Sequence, residues 1–396
     1  MIAAFFWFFL FIVFYAYIGY PLLVTAIAQF FFNPRQYHPA VPSVTLVIPA
    51  YNEEQVIDRK LENCLRLDYP KEKLQILVVA DGSIDRTTEI VGQYSSKGVK
   101  LLYSSERRGK MAAINRAIPH ITTEIVVFSD ANNMFKADAL RELVAPFSKR
   151  WVGGASGAKT IAKGDGLLGE SEGLYWKYES FIKKQETRIG SCISVVGEIF
   201  AIRKNLLTPC PEHIINDDSY MATRLLAQGY QIIYVDTARS VERVSPSASG
   251  EQVRRSRIIA GRYQILSMFP QLLPWRRPLV SWMLISHKFL RPLVALAMMG
   301  TLVTNILLVL WQPENSVGLF FALAFPFNWL FLFLQALFYF MAIAGKFVKK
   351  TGIIGKIFYL PKFLVSSNIA ALIGLLRFLR GSQTPIWERV QRRDIS

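Results

Sequence analysis

Carboxylates gather at the ends of short apolar runs in this chain. VTLVIPA (44–50) leads into Pro-Ala-Tyr-Asn-Glu-Glu (49–54), LQILVVAD (74–81) contains the start of Ala-Asp-Gly-Ser (80–83), and EIVVFSD (124–130) leads into Ser-Asp-Ala-Asn-Asn (129–133). Taken singly, each acidic residue reads as a cap or an Asx turn. Three of them at adjacent strand ends read as a site. Carboxylate oxygens such as that of Asp130 suit Mg²⁺ or Mn²⁺, and an acidic site that binds a diphosphate needs such a cation. Neither G-x-x-x-x-G-K-[ST] nor a post-strand G-x-G-x-x-G is present, so the P-loop and dinucleotide folds lack their phosphate cradle here. Further on, Asn216-Asp217-Asp218 opens a helical pattern that buries Met221, Leu225 and Leu226. Its carboxylates either complement a helix N-terminus or present a base to a cleft. Residues 251–257 (EQVRRSR), followed by IIAGRYQIL, form a basic amphipathic pattern. One face suits an anionic membrane surface, and the arginine forks suit a phosphate.

The elements that must hold these residues are legible. Between the apolar runs, including VKLLYS (99–104), lie helical patterns over 53–67, 85–94, 110–117 and 136–147. Asp85 with Glu89 reads as a helix start. Strands alternating with helices predict a parallel, doubly wound sheet, whose ligands bind beyond the carboxyl ends of its strands.

Charge and hydropathy place this α/β unit between membrane segments. The chain has 396 residues, 52% hydrophobic and 19% charged, with a net charge of +17. That composition excludes a disordered chain. Three cysteines, Cys64, Cys192 and Cys210, are too few and scattered for a disulfide framework, and four histidines show no zinc spacing. No charged residue precedes Arg35, and the run through FFWFFLFIVF is long enough to span a bilayer. Charge-free runs from Arg291 to Glu314 and from Glu314 to Lys346 are long enough as well. FLVSSNIAALIGLL, between Lys362 and Arg377, is only 14 residues and suits a re-entrant or interfacial segment. Arg276, Arg277, Lys288 and Arg291 precede the second span, Lys346, Lys349 and Lys350 follow the third, and Arg377, Arg380, Arg389, Arg392 and Arg393 mark the tail. The loop at 312–318 has no basic residue, so the middle of the chain and its C-terminus are expected in the cytoplasm. The expected division is a transmembrane helix over 1–34, a Pro-bearing linker at His38–Pro42, an α/β domain over 40–249, amphipathic interfacial helices over 250–290, two transmembrane helices over 291–346, and an interfacial or re-entrant segment with a basic tail over 347–396.

The ordered set VIPAYNEE, ADGSIDRT, ERRGKMAAINRA, SDANN, VVGEIFAIRKN, NDDSYMATRLLAQGY and QVRRSR resembles the membrane-integrated family 2 glycosyltransferases, the group of cellulose, hyaluronan, chitin and poly-N-acetylglucosamine synthases. The resemblance covers nearly the whole chain, down to a tail at Trp387 similar to the family's Trp-plus-Arg ending. It implies a GT-A fold: a Rossmann-like, mostly parallel sheet in a cytoplasmic domain, inserted between an N-terminal transmembrane helix and a C-terminal helical membrane region. It also implies an inverting hexosyltransferase of the cell or inner membrane that uses a nucleotide-sugar donor, expected to be a UDP-sugar, with Mg²⁺ or Mn²⁺. The acceptor would be a polysaccharide or lipid-linked. Carried over, Pro49, Ala50, Tyr51 and Glu53 would line the nucleoside pocket, and Asp81 would meet base or ribose. Lys110 would sit by the donor phosphates, and Asp130 with Asn132 would hold the metal. Asp218 would be the catalytic base, while Gln252, Arg255 and Arg257 would cap the diphosphate. Asp217, Trp176 and Glu198 are the acceptor-side candidates.

Three positions depart from the family pattern. Ala80 replaces the first Asp of Asp-Asp-Gly-Ser, Asn132 replaces the second acid of Asp-x-Asp, and Ser256 stands where the processive synthases place a platform Trp. They keep open a non-processive glycolipid glycosyltransferase and a non-catalytic or export component of a polysaccharide system. An oligomer or export partner is left open too. A transporter would carry ionisable residues inside its spans, and the second and third runs carry none. The basic residues flank the spans and the amphipathic helix, which points to lipid and not to nucleic acid.

Overall fold

The computed structural model describes residues 1–30, 37, 40–162, 166–243, 248–311, 320–345, 347–348 and 352–386. Arg35, His38, the loop with Glu314, Lys346, Lys349, Lys350 and the tail from Trp387 lie outside the described residues.

A long helix, α1 (Ile2–Phe30), leads into the α/β layer. There β1 (Val44–Ala50), α2 (Ile57–Leu65), β2 (Leu74–Asp81), α3 (Thr87–Gly92), β3 (Val99–Ser104), α4 (Lys110–Ala117) and β4 (Ile125–Phe128) alternate. They are followed by β5 (Met134–Phe135), α5 (Ala139–Val144), β6 (Val152–Ile161), α6 (Gly166–Ile189), β7 (Phe200–Arg203), α7 (Asp217–Ala227) and β8 (Gln231–Glu242). Among the described residues the strands form one sheet in the order β3-β2-β1-β4-β7-β6-β8-β5. Pairing is parallel from β3 through β4 and between β6 and β8, and antiparallel on both sides of β7 and at β5.

The apolar runs form strands because both faces of the sheet are covered. β1 and β4 are buried along their whole length, as parallel strands under helices must be. Side chains alternate between faces: Val47, Leu77, Val79, Val126 and Phe128 belong to one core, and Leu46, Ile48, Ile76, Val78 and Val127 to the other. The first core continues through Ile182 of α6 to Tyr20 and Val24 of α1. α3 begins two residues after Asp85, with Arg86 at the cap position and the Thr87 amide donating to Asp85 Oδ1 at 3.0 Å.

After β8 come α8 (Ala248–Ser267), α9 (Pro278–Leu310), α10 (Phe327–Ala344) and α11 (Gly352–Leu379). Among the described residues four helical stretches, Ile2–Phe30, Pro278–Leu310, Phe327–Ala344 and Ile357–Leu379, are long and apolar enough to cross a membrane. Two differ from the sequence expectation. α9 begins at Pro278, well before Arg291, and so contains three titratable residues. His287 and Arg291 do not end it because carboxylates of α6 receive them: His287 Nδ1 lies 2.6 Å from Glu186 Oε1, and Arg291 pairs with Glu179. α11 is not a 14-residue dip but a continuous 28-residue helix. Lys362, which looked like a boundary, instead donates to the Gly345 carbonyl at 3.2 Å.

The flanks of α11 lie on the sheet side. α10 returns antiparallel to α9, with Asn328 donating to the Leu308 carbonyl at 3.1 Å, so Gly345 is level with about Arg291 of α9, which pairs with Glu179 of α6. At the other end, a Cβ on Gly109 would lie 3.6 Å from the Pro385 carbonyl oxygen. Between these ends α11 packs along α8. A Cβ on Gly374 would sit 2.7 Å from the Ser256 carbonyl oxygen and 2.9 Å from Ile259 Cγ2, so only glycine permits this approach. Ser256 is 1% exposed in that contact, and its hydroxyl donates to the Val253 carbonyl at 2.9 Å. Ser256→Trp is therefore expected to wedge α8 from α11 and destabilise by about 3 kcal/mol through overpacking. Thermal unfolding of the purified variant checks this; an unchanged midpoint would mean the contact yields freely.

Candidate active site

Beyond the ends of β1 and β4, where the strand order reverses, lies a cavity of about 790 Å³, within the range of small-molecule sites. Lys110, in the first turn of α4, is part of its wall. Its Nζ is 2.8 Å from Asp130 Oδ1 and 3.3 Å from Asp217 Oδ2. Burial works against the Lys110 charge, but Asp130, Asp217 and Asp218 outweigh it and hold the ammonium above the ordinary lysine value. For Asp217 the burial dominates: its carboxyl is raised although Lys110 pulls it down, and Asp218 and Asp130 repel its charge.

Asp130 is carried on a turn that is held from beneath. Lys60, fully buried, donates to Ser129 Oγ and to the Asn133 carbonyl, both at 2.6 Å, while Asn133 Nδ2 donates to the Glu198 carbonyl at 2.9 Å. Burial pushes the Lys60 ammonium below its ordinary value. Asp218 follows Asp217 at the start of α7, with Oδ1 accepting the Ser219 amide at 2.6 Å. Its close neighbour is Gly197 of the VVGEIF segment, where a Cβ would fall 3.0 Å from Asp218 Oδ2. Any larger residue there would displace the carboxylate.

The α8 arginines divide. Arg254, Ile258 and Arg262, four residues apart, line the cavity from one helical face. Arg257 also lines it, with one guanidinium nitrogen 3.4 Å from the Ile215 carbonyl. Burial lowers the Arg257 pKa against the pull of Asp217, Asp130 and Asp218. Its Nε has no hydrogen-bond partner among the described residues. Arg255 reaches the cavity wall but is engaged in a clasp: it pairs with Glu172, holds Glu251 at 3.0 Å, and donates to Ser367 of α11 at 2.8 Å.

The predicted site residues thus fall into two sets. Pro49, Glu53, Lys110, Asp130, Asn132, Trp176, Glu198, Asp217, Asp218, Arg255 and Arg257 all line the one cavity. Ala50, Tyr51, Asp81 and Gln252 are not in its wall. Ala50 is buried in the second core, and Tyr51 lies under the Arg107 guanidinium, 3.6 Å from its ring centre. Asp81, 1% exposed, accepts the amides of Arg108 and Gly109 at 3.0 and 2.6 Å and pairs with Arg116 at 3.0 Å. It holds the turn that delivers Lys110. Asp81→Asn is expected to weaken these contacts, cost about 2 kcal/mol, and lower the thermal midpoint of the nucleotide-free protein. An unchanged midpoint with weakened nucleotide affinity would instead make Asp81 a ligand contact.

Two acceptor-side candidates are also tied into networks. Glu198, 6% exposed, pairs with Lys159 at 2.9 Å and accepts from Ser240 at 2.8 Å, and Lys159 pairs in turn with Glu242. Asn132 donates to Glu242 at 3.2 Å. Trp176 lies between the ammonium groups of Lys159 and Lys183, each 5.4 Å from its ring centre. The reading of the residues missed Lys183, Arg262, Lys288 and Arg291, all in the cavity wall. In the sequence Lys288 and Arg291 signal only topology. The four-residue spacing of Arg254, Ile258 and Arg262 was the available signal for Arg262.

Residues 45–208 match the family described as Glycosyl transferase family 2. The chain is 26% identical over 214 residues to a beta-monoglucosyldiacylglycerol synthase of Nostoc sp., covering 51% of this chain and 46% of that protein. It is 25% identical over 235 residues to a poly-beta-1,6-N-acetyl-D-glucosamine synthase of Staphylococcus epidermidis, covering 58% and 57%. The chain thus spans about half the length of the curated relatives it matches. Its fold is similar to that of a mannosyltransferase from Pyrobaculum calidifontis, solved in complex with GDP-Man and Mn²⁺. The TM-score is 0.71 and the identity 22%, with 96% of this chain and 99% of that one covered.

Proposed function

We propose, from the premise that this chain carries a family 2 glycosyltransferase domain over residues 45–208, that it is a membrane-bound inverting glycosyltransferase with a UDP-sugar donor. The observation that carries the reading is the convergence of Lys110, Asp130, Asp217, Asp218 and Arg257 on one cavity at the strand ends.

In this reading the donor diphosphate lies between Lys110 and Arg257. Both are cationic, and the Arg257 fork suits phosphate oxygens. Asp218 takes the proton of the acceptor hydroxyl as its oxygen attacks the anomeric carbon. The bond from that carbon to the diphosphate breaks with its electron pair, opposite the attack, and the configuration inverts. Asp217 holds Lys110 in place, and Asp130 does so from the other side.

A divalent cation fits this donor set only as a shared guest. The described residues contain no group of three His, Cys, Asp or Glu side chains placed to hold a metal. Asp130, with a 35% exposed side chain, offers one carboxylate, and Asn132 stands beside it in the wall. Hard cations take several oxygen ligands, which the diphosphate and water complete. When bound, Mg²⁺ or Mn²⁺ would neutralise charge on the leaving group.

The acceptor is a polysaccharide or lipid-linked. The cavity wall includes Tyr17 and Ile18 of α1 and Leu360, Phe363 and Leu364 of α11, which favours an acceptor held in the membrane. We place the sheet domain in the cytoplasm, with α11 along the membrane interface. The sheet-side position of its two flanks supports this.

The test is nucleotide release from a panel of UDP- and GDP-sugars by the full chain in lipid vesicles with Mg²⁺ or Mn²⁺. Release from one donor is expected. Nucleotide binding without release from any donor, with lipid and saccharide acceptors supplied, would reduce the protein to a binding fold.

A further inference from the structure

The cavity has a second cationic end that the donor chemistry leaves unused. Lys183 of α6, Arg262 of α8 and Lys288 of α9 all line it. Among the described residues none of the three forms an ion pair, while Lys110, Lys159, Arg254, Arg255 and Arg291 in the same wall each do. Lys183 is only 2% exposed, and its ammonium faces the rings of Trp176 and Tyr234 at 5.4 and 5.5 Å. The electrostatic neighbours of Lys288 are Arg262 and Lys183 of like sign, and Asp218 and Glu179 of opposite sign. Like charges gathered in a half-buried site repel, and ionisable groups that face a cavity from a membrane helix mark a substrate path.

Their surroundings identify what they meet. Ile18 and Leu360 line the cavity and are also 50% and 53% exposed on the apolar helices α1 and α11. The cavity therefore opens onto the surface that faces lipid chains. At its inner end Lys288 Nζ lies 3.5 Å from the hydroxyl of Ser219, the residue after Asp218. An anion seated on Lys288 is thus next to the carboxylate assigned as base.

We propose that Lys183, Arg262 and Lys288 form a phosphate site for the acceptor, and that the acceptor is an anionic lipid whose headgroup carries a free hydroxyl beside its phosphate. This rests on the glycosyltransferase reading above and names the acceptor class. The phosphate docks on the three cations, the chains leave between Ile18 and Leu360, and the headgroup hydroxyl reaches Asp218. The hydroxyl oxygen then bonds to the anomeric carbon, its proton passes to Asp218, and the nucleoside diphosphate leaves with the electron pair of the broken bond.

The test measures lipid retention and needs no donor. The full chain is equilibrated with vesicles of equal parts dioleoylphosphatidylglycerol, dioleoylglycerol and dioleoylphosphatidylcholine, and retained lipid is counted by native mass spectrometry. Phosphatidylglycerol is expected to exceed each of the others by roughly tenfold, the factor given by one charge-assisted hydrogen bond. Lys288→Met and Arg262→Gln should each remove most of that preference, and Lys288→Arg should restore it. Two independent variants keep the test open should one fail to fold. Excess inorganic phosphate should leave the lipid bound; its displacement of the lipid would make this a free-phosphate site and overturn the lipid assignment. Equal retention of the three lipids, or a preference that survives Lys288→Met with Arg262→Gln, overturns the proposal. Failure of the glycosyltransferase reading appears separately, as no nucleotide release from any donor.

Discussion

Asp218→Asn is expected to lower sugar transfer by about 10³-fold, within the range for loss of a positioned general base, while nucleotide affinity stays nearly unchanged. The exchange keeps the side-chain volume and the oxygen that accepts the Ser219 amide at 2.6 Å. It also leaves the Lys110–Asp130 and Lys110–Asp217 pairs in place, so the donor side should persist. What disappears is the acceptor for the hydroxyl proton. Asp217 cannot take over readily, because it is more buried and engaged with Lys110. Donor titration beside single-turnover transfer separates the effects. Lost nucleotide affinity would assign Asp218 to the donor pocket, and retained transfer would move the base to Asp217.

Much of the sheet was readable because its first half obeys simple rules. β1, β2 and β4 are Val-, Ile- and Leu-rich runs that end in polar turns, and parallel strands buried on both faces have to look like that. β6 offers no such signal. Its sequence, VGGASGAKTI, reads as a flexible segment, yet it is buried almost throughout. Its glycines answer to close neighbours across the sheet, which only tertiary packing reveals. Asp81 shows the same limit at a single residue. Its place at a strand end was legible, but its partners Arg108, Gly109 and Arg116 come from a loop and helix decided by the fold. Charge was misleading in the membrane region for a related reason. Lys362 and Arg291 look like helix boundaries in one dimension, and in three they are met by a carbonyl and a carboxylate. Ser256 likewise occupies the expected motif position but is buried, with its backbone carbonyl against Gly374 of α11.

Asp130→Ala is expected to erase the gain in nucleotide affinity that Mg²⁺ or Mn²⁺ brings, by about 100-fold, since even outer-shell losses reach that size. The metal-free affinity should move the other way. Asp130 currently places a negative charge 2.8 Å from the Lys110 ammonium, in the space assigned to a diphosphate. Removing it frees Lys110 from one of two carboxylates and removes a repulsion, while Asp217 at 3.3 Å still holds the lysine in position. Titrations of UDP with and without Mn²⁺ on wild type and variant should therefore cross: weaker binding by the variant with metal, equal or tighter binding without it. A simple structural role for Asp130 predicts no crossing, because a disordered turn would weaken both. The turn is independently secured by Lys60 on Ser129 and Asn133, so its collapse is not expected. If metal dependence survives in Asp130→Ala, the cation is held by the donor alone and the role of Asp130 is to orient Lys110.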